Sequence, residues 1–426
     1  MQNNPARNRP GKRRRLGLAA VGAALLAALA ACSSSGSSAG GTVTLRFVAS
    51  TTTQAGFSAE IARFEAANPK IKIQATFLPI EQVQTQLNTQ LAAGNAPDLF
   101  ITNPGTGILG VQKLGQAGQL ASLDDSAWKA TVPAANLAML ESGGSVYGYP
   151  SSEVLYFVTY NKTAYATLGL TPPATLAQLG ADCVQAKKAG KVMIALTGGA
   201  TNLLALTATQ FAVNSVYSAT PDWNALRVAD RTTFAASSGW QQLASEFATL
   251  KNDGCFQADA ASAQFPNAVS LFTSGQALSM ITFSTQVGGI VAEAKNLSYA
   301  AYPLPGTTAA QTRLPVATSV TMSVNAKSAN LAAAEKFVSF LAKPAQAAAY
   351  AKTSGDVALA AANKGILPSY MSALTPLLSA GETIALPIFT WPAQAYTALG
   401  VNAQGMLTGQ VTASQWLKAL DQGWDS

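Results

Sequence analysis

From Val43 onward the chain switches repeatedly between two hydrophobic periods, and that switching restricts the fold more than any other feature. Val43-Thr44-Leu45-Arg46-Phe47-Val48 alternates apolar and polar residues, the period of a strand covered on one face. Phe57, Ile61 and Phe64 then recur at i, i+4 and i+7, which predicts a helix. Asn68-Pro69 stops it, because proline lacks a donor and restricts the residue before it. Lys70-Ile71-Lys72-Ile73-Gln74-Ala75 alternates again as a strand. Val83, Leu87 and Leu91 mark a second helix ending at Gly94-Asn95-Ala96-Pro97, and the short apolar Asp98-Leu99-Phe100-Ile101 reads as a buried strand. This order of strand, helix, strand, helix, strand is that of a doubly wound open α/β sheet.

Upstream of this pattern, Arg7, Arg9, Lys12, Arg13, Arg14 and Arg15 precede an Ala/Leu-rich apolar run from Leu16 to Ala31, which closes on Leu29-Ala30-Ala31-Cys32. The run is too short and too rich in Ala for a spanning helix and suits a cleavable export signal that ends in a lipobox. Residues 1–31 are therefore expected to form a lipoprotein signal peptide, with Cys32 as the lipid-bearing first mature residue. Residues 32–41, containing only Ser, Gly and Ala after the cysteine, form a flexible tether that would hold the folded part at the extracytoplasmic face of the cell membrane.

The formal net charge of +7 belongs to that signal, since residues 1–31 hold six Lys/Arg and no acid, which leaves about +1 for the remaining 395. No nucleic-acid surface is implied. A chain of that length exceeds what one core usually serves, so two lobes are expected. Charged residues make up 11%, which suits a neutral, hydroxylated ligand better than a charged polymer. The sequence has 0 histidines and, beyond Cys32, only Cys183 and Cys255. That leaves few ways to build a metal site or a His-assisted nucleophile, and no metal or cofactor is expected. In an exported chain the two remaining cysteines are expected to pair.

A set of ordered marks runs through nearly the whole mature chain. They include Phe64-Glu65-Ala66-Ala67-Asn68-Pro69, Leu91-Ala92-Ala93-Gly94-Asn95-Ala96-Pro97-Asp98-Leu99-Phe100, Gly118-Gln119-Leu120, Val146-Tyr147-Gly148-Tyr149-Pro150 and Tyr160-Asn161-Lys162. Leu168-Gly169-Leu170-Thr171-Pro172-Pro173, Phe272-Thr273-Ser274-Gly275-Gln276-Ala277, Pro303-Leu304-Pro305-Gly306 and Ala334-Glu335-Lys336-Phe337-Val338-Ser339-Phe340-Leu341 follow. In this order and spacing the sequence resembles the extracellular solute-binding proteins of the carbohydrate group (family 1), the lipid-anchored receptors of bacterial ABC importers.

The resemblance implies a two-lobe periplasmic-binding-protein fold, each lobe a doubly wound open α/β sheet with flanking helices, joined by a hinge of crossing strands. Crossings fall near 150–156, 301–306 and 356–361. Residues 42–152 with 303–357 would then form lobe 1, and 153–302 with 358–426 lobe 2. The resemblance also implies a monomeric binding protein rather than an enzyme, one that captures a sugar or oligosaccharide between the lobes and delivers it to the importer's permease subunits.

Ligands of such sheets sit outside the carboxyl ends of strands. In lobe 1 this selects Thr51 and Thr52, whose hydroxyls can donate to ligand oxygens, and Thr102 and Asn103 after the third strand. At the first crossing, Glu153 stands where related sugar binders hold a carboxylate. In lobe 2 the loops Thr282-Phe283-Ser284-Thr285-Gln286 and Ile388-Phe389-Thr390-Trp391-Pro392 qualify, and the resemblance places stacking aromatics at Phe283 and Trp391, with Ser284 as a polar neighbour. A sugar packs its CH face on such a ring while its hydroxyls reach polar groups nearby. Phe283 reads equally well as core, because it ends an apolar run. Trp240, at helical spacing with Leu243 and Phe247, reads as core, Trp416 and Trp424 as packing for the last helix, and Asp98 as a cap for backbone groups.

Two other readings remain open on sequence alone. An exported glycosidase would need a second carboxylate about 5–10 Å from the first, and only Glu153 lies in a predicted cleft loop. A binding protein for a non-sugar solute would show clustered acids for a polyamine or several arginines for an anion, and the selected loops contain neither.

Overall fold

The computed structural model describes residues 41–426 apart from 108, 133, 293, 295 and 360–365, so the expected signal peptide, Cys32 and almost all of the tether lie outside the described residues. The strands are β1 (Val43–Ser50), β2 (Ile71–Leu78), β3 (Leu99–Thr102), β4 (Tyr149–Pro150), β5 (Glu153–Asn161), β6 (Val192–Ala195), β7 (Ala277–Phe283), β8 (Tyr299–Tyr302), β9 (Leu314–Thr318), β10 (Thr321–Val324) and β11 (Thr383–Ala385), with a small hairpin at 141–146.

The alternating periods at the start build one sheet in the order β2-β1-β3-β10-β4. Strand β1 lies parallel to both β2 and β3, as strand–helix–strand connections require, and β10 returns antiparallel to β3. Helix Gln54–Ala67 buries Phe57 and Phe64 against this sheet, with the Phe47 and Phe57 rings 5.1 Å apart and edge-on. Helix Ile80–Ala93 ends at Gly94, whose φ of 73° suits glycine and lets its N–H reach the Gln90 and Leu91 carbonyls. Asp98 orients backbone and neighbouring side chains: its carboxylate accepts from the Arg46 N–H at 2.7 Å and from the Ser328 hydroxyl at 2.5 Å.

A second sheet runs β11-β9-β5-β7-β6, with β8 added along β5. Its centre is β5, where eight of nine residues are buried, consistent with a strand covered on both faces. The larger core beneath it contains Phe211, Trp240, Phe247 and Trp416, so Trp240 and Trp416 are interior residues. Cys183 and Cys255 are joined here by a disulfide with Cα atoms 4.7 Å apart, spanning 72 residues of chain.

The chain passes between the sheets at three adjacent places. It leaves β4 through Ser151 and Ser152 into β5, returns from β9 through Ser319 and Val320 into β10, and crosses again at Asp356 and Val357 after helix Pro344–Ser354. The second of these differs from the expected crossing at 301–306. Leu304 belongs to the second core, its carbonyl accepts from Asn214 Nδ2 at 2.8 Å, and β9 pairs with β5 and β11. Pro303-Leu304-Pro305-Gly306 is thus a loop inside the second half, and residues 303–318 pack with it rather than with 42–152.

Closing a loop of this length restricts the unfolded chain. Replacing Cys183 and Cys255 together by alanine is expected to lower the unfolding free energy by about 4 kcal/mol in the chain-entropy model, measured by urea denaturation against the oxidised wild type. An unchanged midpoint would show that the crosslink contributes nothing to stability.

Candidate functional site

A cavity of about 580 Å³ opens between segments that belong to the two sheets. Asn88, Thr106, Gly107, Leu109 and Lys113 line it from the side of the first sheet, and Val228, Thr390, Trp391, Pro392 and Trp424 from the side of the second. The first wall is a tight loop after β3. The Asn103 N–H bonds the Leu109 carbonyl at 3.0 Å, the Gln112 N–H bonds the Gly105 carbonyl at 3.1 Å, and Leu109 adopts a φ of 51°, a conformation that costs a non-glycine residue energy and persists only where surroundings enforce it. Gly105, at φ 81°, lies so close to the second wall that a Cβ there would sit 2.9 Å from the Phe389 carbonyl oxygen. The two walls therefore meet backbone to backbone beside the cavity.

The second wall is carried by the turn Pro387–Thr390 and the helix Ala393–Thr408 that follows. Prolines at 387 and 392 restrict the chain on either side of Trp391. Trp391 is only 6% exposed, and its ring packs on Phe234, Trp240 and Trp424 at centroid distances of 5.2, 5.5 and 5.7 Å. Trp424 is half-buried, packs on the same cluster and lies beneath the Arg227 guanidinium at 5.7 Å.

Of the residues expected at the site, only Trp391 lines this cavity. Thr102 is enclosed in the first sheet, bonded to the hydroxyls of Thr321 and Ser323. Ser284 is enclosed where its Oγ accepts from the Leu155 N–H at 3.3 Å. Both hydroxyls at strand ends are taken up by neighbouring strands. Phe283 is half-buried against Tyr156 at 5.4 Å and lines a separate recess beside Gln210 and Gln286. Thr51 and Thr52 are exposed in a short turn capped by Ser50, and the half-buried Asn103 contributes its backbone to the loop that forms the first wall. Asn88, Thr106, Lys113 and Trp424 were not expected at the site. They carry no local signal, since their meeting depends on the packing of distant segments.

Glu153 lies at the passage between the sheets, 2% exposed, and accepts from Asn136 Nδ2 at 3.0 Å. Burial pushes its carboxyl up to about 7, against the opposing effect of that hydrogen bond. Asp356, beside it, is raised to about 6 by burial despite hydrogen bonds, the one from Ser152 Oγ at 2.5 Å first among them. Among the described residues no group of three or more His, Cys, Asp or Glu is placed to hold a metal.

The model of the bacterial extracellular solute-binding proteins matches residues 49–348. The chain belongs to this family. A curated relative, the multiple sugar-binding protein of Streptococcus mutans, is 24% identical over 326 residues, 74% of each chain. Among solved structures, this solute-binding protein resembles RafE from Streptococcus pneumoniae, with TM-score 0.75 and 19% identity over 90% of this chain and 97% of that one. It also resembles a sugar transporter from Bacillus licheniformis in complex with stachyose, with TM-score 0.70 and 20% identity over 90% and 99%. Family membership makes it an extracellular binding protein and not an enzyme, and the likeness to two-lobe structures matches its two helix-flanked sheets. No helix among the described residues is long and apolar enough to cross a membrane.

The raised carboxyl of Glu153 gives this solute-binding protein a pH dependence of definite sign. Between its ordinary value near 4.5 and about 7, the unfolded chain releases a proton that the folded chain keeps, so stability falls as pH rises through that window. Asp356 acts in the same direction between 3.8 and about 6. Glu153→Gln is expected to flatten the fall in urea midpoint between pH 5 and pH 7.5. A slope equal to the wild type's would show that the carboxyl ionises freely in the folded state.

Proposed function

We propose that this solute-binding protein captures a neutral sugar or oligosaccharide in the cavity between the loop after β3 and the Thr390–Pro392 segment. One observation carries the reading: aromatic and hydrogen-bonding groups converge there from both halves of the fold. Trp391, Trp424 and Pro392 offer apolar faces for the CH surface of a sugar ring, and Asn88, Thr106 and Lys113 offer polar atoms for its hydroxyls. The sugar-binding relative and the stachyose complex support the same ligand class. Trp391 is largely covered, and the meeting of Gly105 with Phe389 supports closure as the way a ligand is enclosed. A ligand that touches both walls favours the state in which they meet, and its differential affinity drives the change.

The export signal and the tether support a lipid anchor at Cys32 and delivery of the sugar to ABC permease subunits at the extracytoplasmic face of the membrane. Intact mass of the membrane-extracted protein is expected to start at Cys32 with added acyl mass, and Cys32→Ala should leave the protein uncleaved or shed rather than lipid-tethered. A mature protein beginning elsewhere would overturn the anchor.

Calorimetric titration with raffinose, stachyose and maltotriose tests the ligand class, and failure of these and a wider saccharide screen would overturn it. For the tightest of them, Trp391→Ala is expected to cost roughly 1–3 kcal/mol, about ten- to a hundredfold in affinity. Trp240→Phe, in the core behind it, should change the melting temperature and leave affinity nearly unchanged. Wild-type affinity in Trp391→Ala would remove this cavity as the site.

A further inference from the structure

Asn224 lies in the first turn of the helix Trp223–Val228 and is 167 positions from Trp391 in the chain. Its side chain uses its hydrogen-bonding capacity in full. Nδ2 donates to the Pro387 carbonyl at 2.9 Å and to Thr390 Oγ1 at 2.9 Å, and Oδ1 accepts from the Trp391 indole Nε1 at 3.1 Å and from the Tyr217 hydroxyl at 2.6 Å. A carboxamide has two N–H donors and two acceptor sites on its oxygen, so this one residue fills every position with a specific partner. Three of the four bonds hold the segment 387–391, at the Pro387 carbonyl, at the Thr390 hydroxyl and on the Trp391 ring itself.

From this geometry we infer that Asn224 is a positioning residue for the sugar site: it sets the plane of the Trp391 ring before any ligand arrives. The inference rests on the reading that Trp391 faces the sugar. Asn224 is not among the residues that line the cavity, so its effect on binding passes through the indole. Apolar packing on Phe234, Trp240 and Trp424 limits where the ring can lie, yet ring-on-ring contacts tolerate rotation and sliding. The indole N–H bond is directional and removes that freedom. The anchor is itself fixed, because the Tyr217 hydroxyl that donates to Asn224 belongs to a ring enclosed in the second core. Thr390 Oγ1 in turn donates to the Pro387 carbonyl at 3.0 Å, which ties the turn to the same amide. Both donors and acceptors are needed at position 224. Aspartate supplies acceptors for Trp391 and Tyr217 but no donor for Pro387, and leucine supplies neither.

The test compares Asn224→Asp, Asn224→Leu and Trp391→Phe, singly and in combination, by titration with the tightest binder among raffinose, stachyose and maltotriose. The indole N–H resonance of Trp391, identified by its loss in Trp391→Phe, serves as a reporter that needs no ligand. Asn224→Leu is expected to move or broaden that resonance and to weaken binding about five- to tenfold, with Asn224→Asp intermediate. In the Trp391→Phe background, which has no indole N–H to hold, Asn224→Leu should weaken binding much less than in the wild type. A merely structural role would give the same loss of affinity in both backgrounds. That result, or an unmoved Trp391 resonance in Asn224→Leu, overturns the inference. If Trp391→Phe and Trp391→Ala both bind as the wild type does, the parent reading of the site fails and the inference falls with it. If only the Asn224 variants bind normally, the site stands and the positioning role is wrong. Should Asn224→Leu not fold, Asn224→Asp and its combination with Trp391→Phe carry the same comparison.

Discussion

The backbone hydrogen bonds among three neighbouring passages are the constraint on which the rest of the molecule depends. The Glu153 N–H donates to the Val357 carbonyl at 2.8 Å, the Val357 N–H returns to Glu153 at 3.1 Å, and the Ser319 N–H donates to the Ser152 carbonyl at 2.9 Å. Ser152 Oγ donates to Asp356 across the same junction. Each sheet has its own apolar core, so the placement of one wall of the cavity relative to the other is set by these few residues and by contacts between loops. Buried polar groups at such a junction call for partners, and here Ser152 Oγ and Ser354 Oγ donate to the Asp356 carboxyl while Asn136 Nδ2 donates to that of Glu153.

The first sheet was legible because its periods are clean and its breaks are marked by Asn68-Pro69 and by Gly94. The return crossing was not. Pro303-Leu304-Pro305-Gly306 has the composition of a linker, but composition marks a turn without saying which two elements it joins. The strand Leu314–Thr318, which contains Pro315, then carries the chain back along β5 before the crossing comes. Only a pairing partner far away in sequence identifies it as part of the second sheet.

The site shows the same division. Trp391 stood out because a large ring between two turn-forming residues has no helical stripe to join. Thr102, Ser284 and Glu153 sit at strand ends where a ligand-facing side chain and one that bonds a neighbouring strand look alike in sequence. Trp424 reads in the sequence as helix packing, and it does pack, on Trp223, Phe234 and Trp391. Its other surface becomes a cavity wall only because the C-terminal helix ends beside the segment 390–393.

The disulfide closes a loop entirely within the second core, and the first core has no cysteine of its own. Among the described residues no covalent link other than the main chain crosses the passages. In mechanical terms the half that carries Trp391 is riveted internally while the passages carry no rivet, so an oxidising exterior stiffens that half and leaves the joint as the main chain makes it. Reducing the bond should therefore loosen the packing around the Trp391 ring before it alters how the two halves are joined.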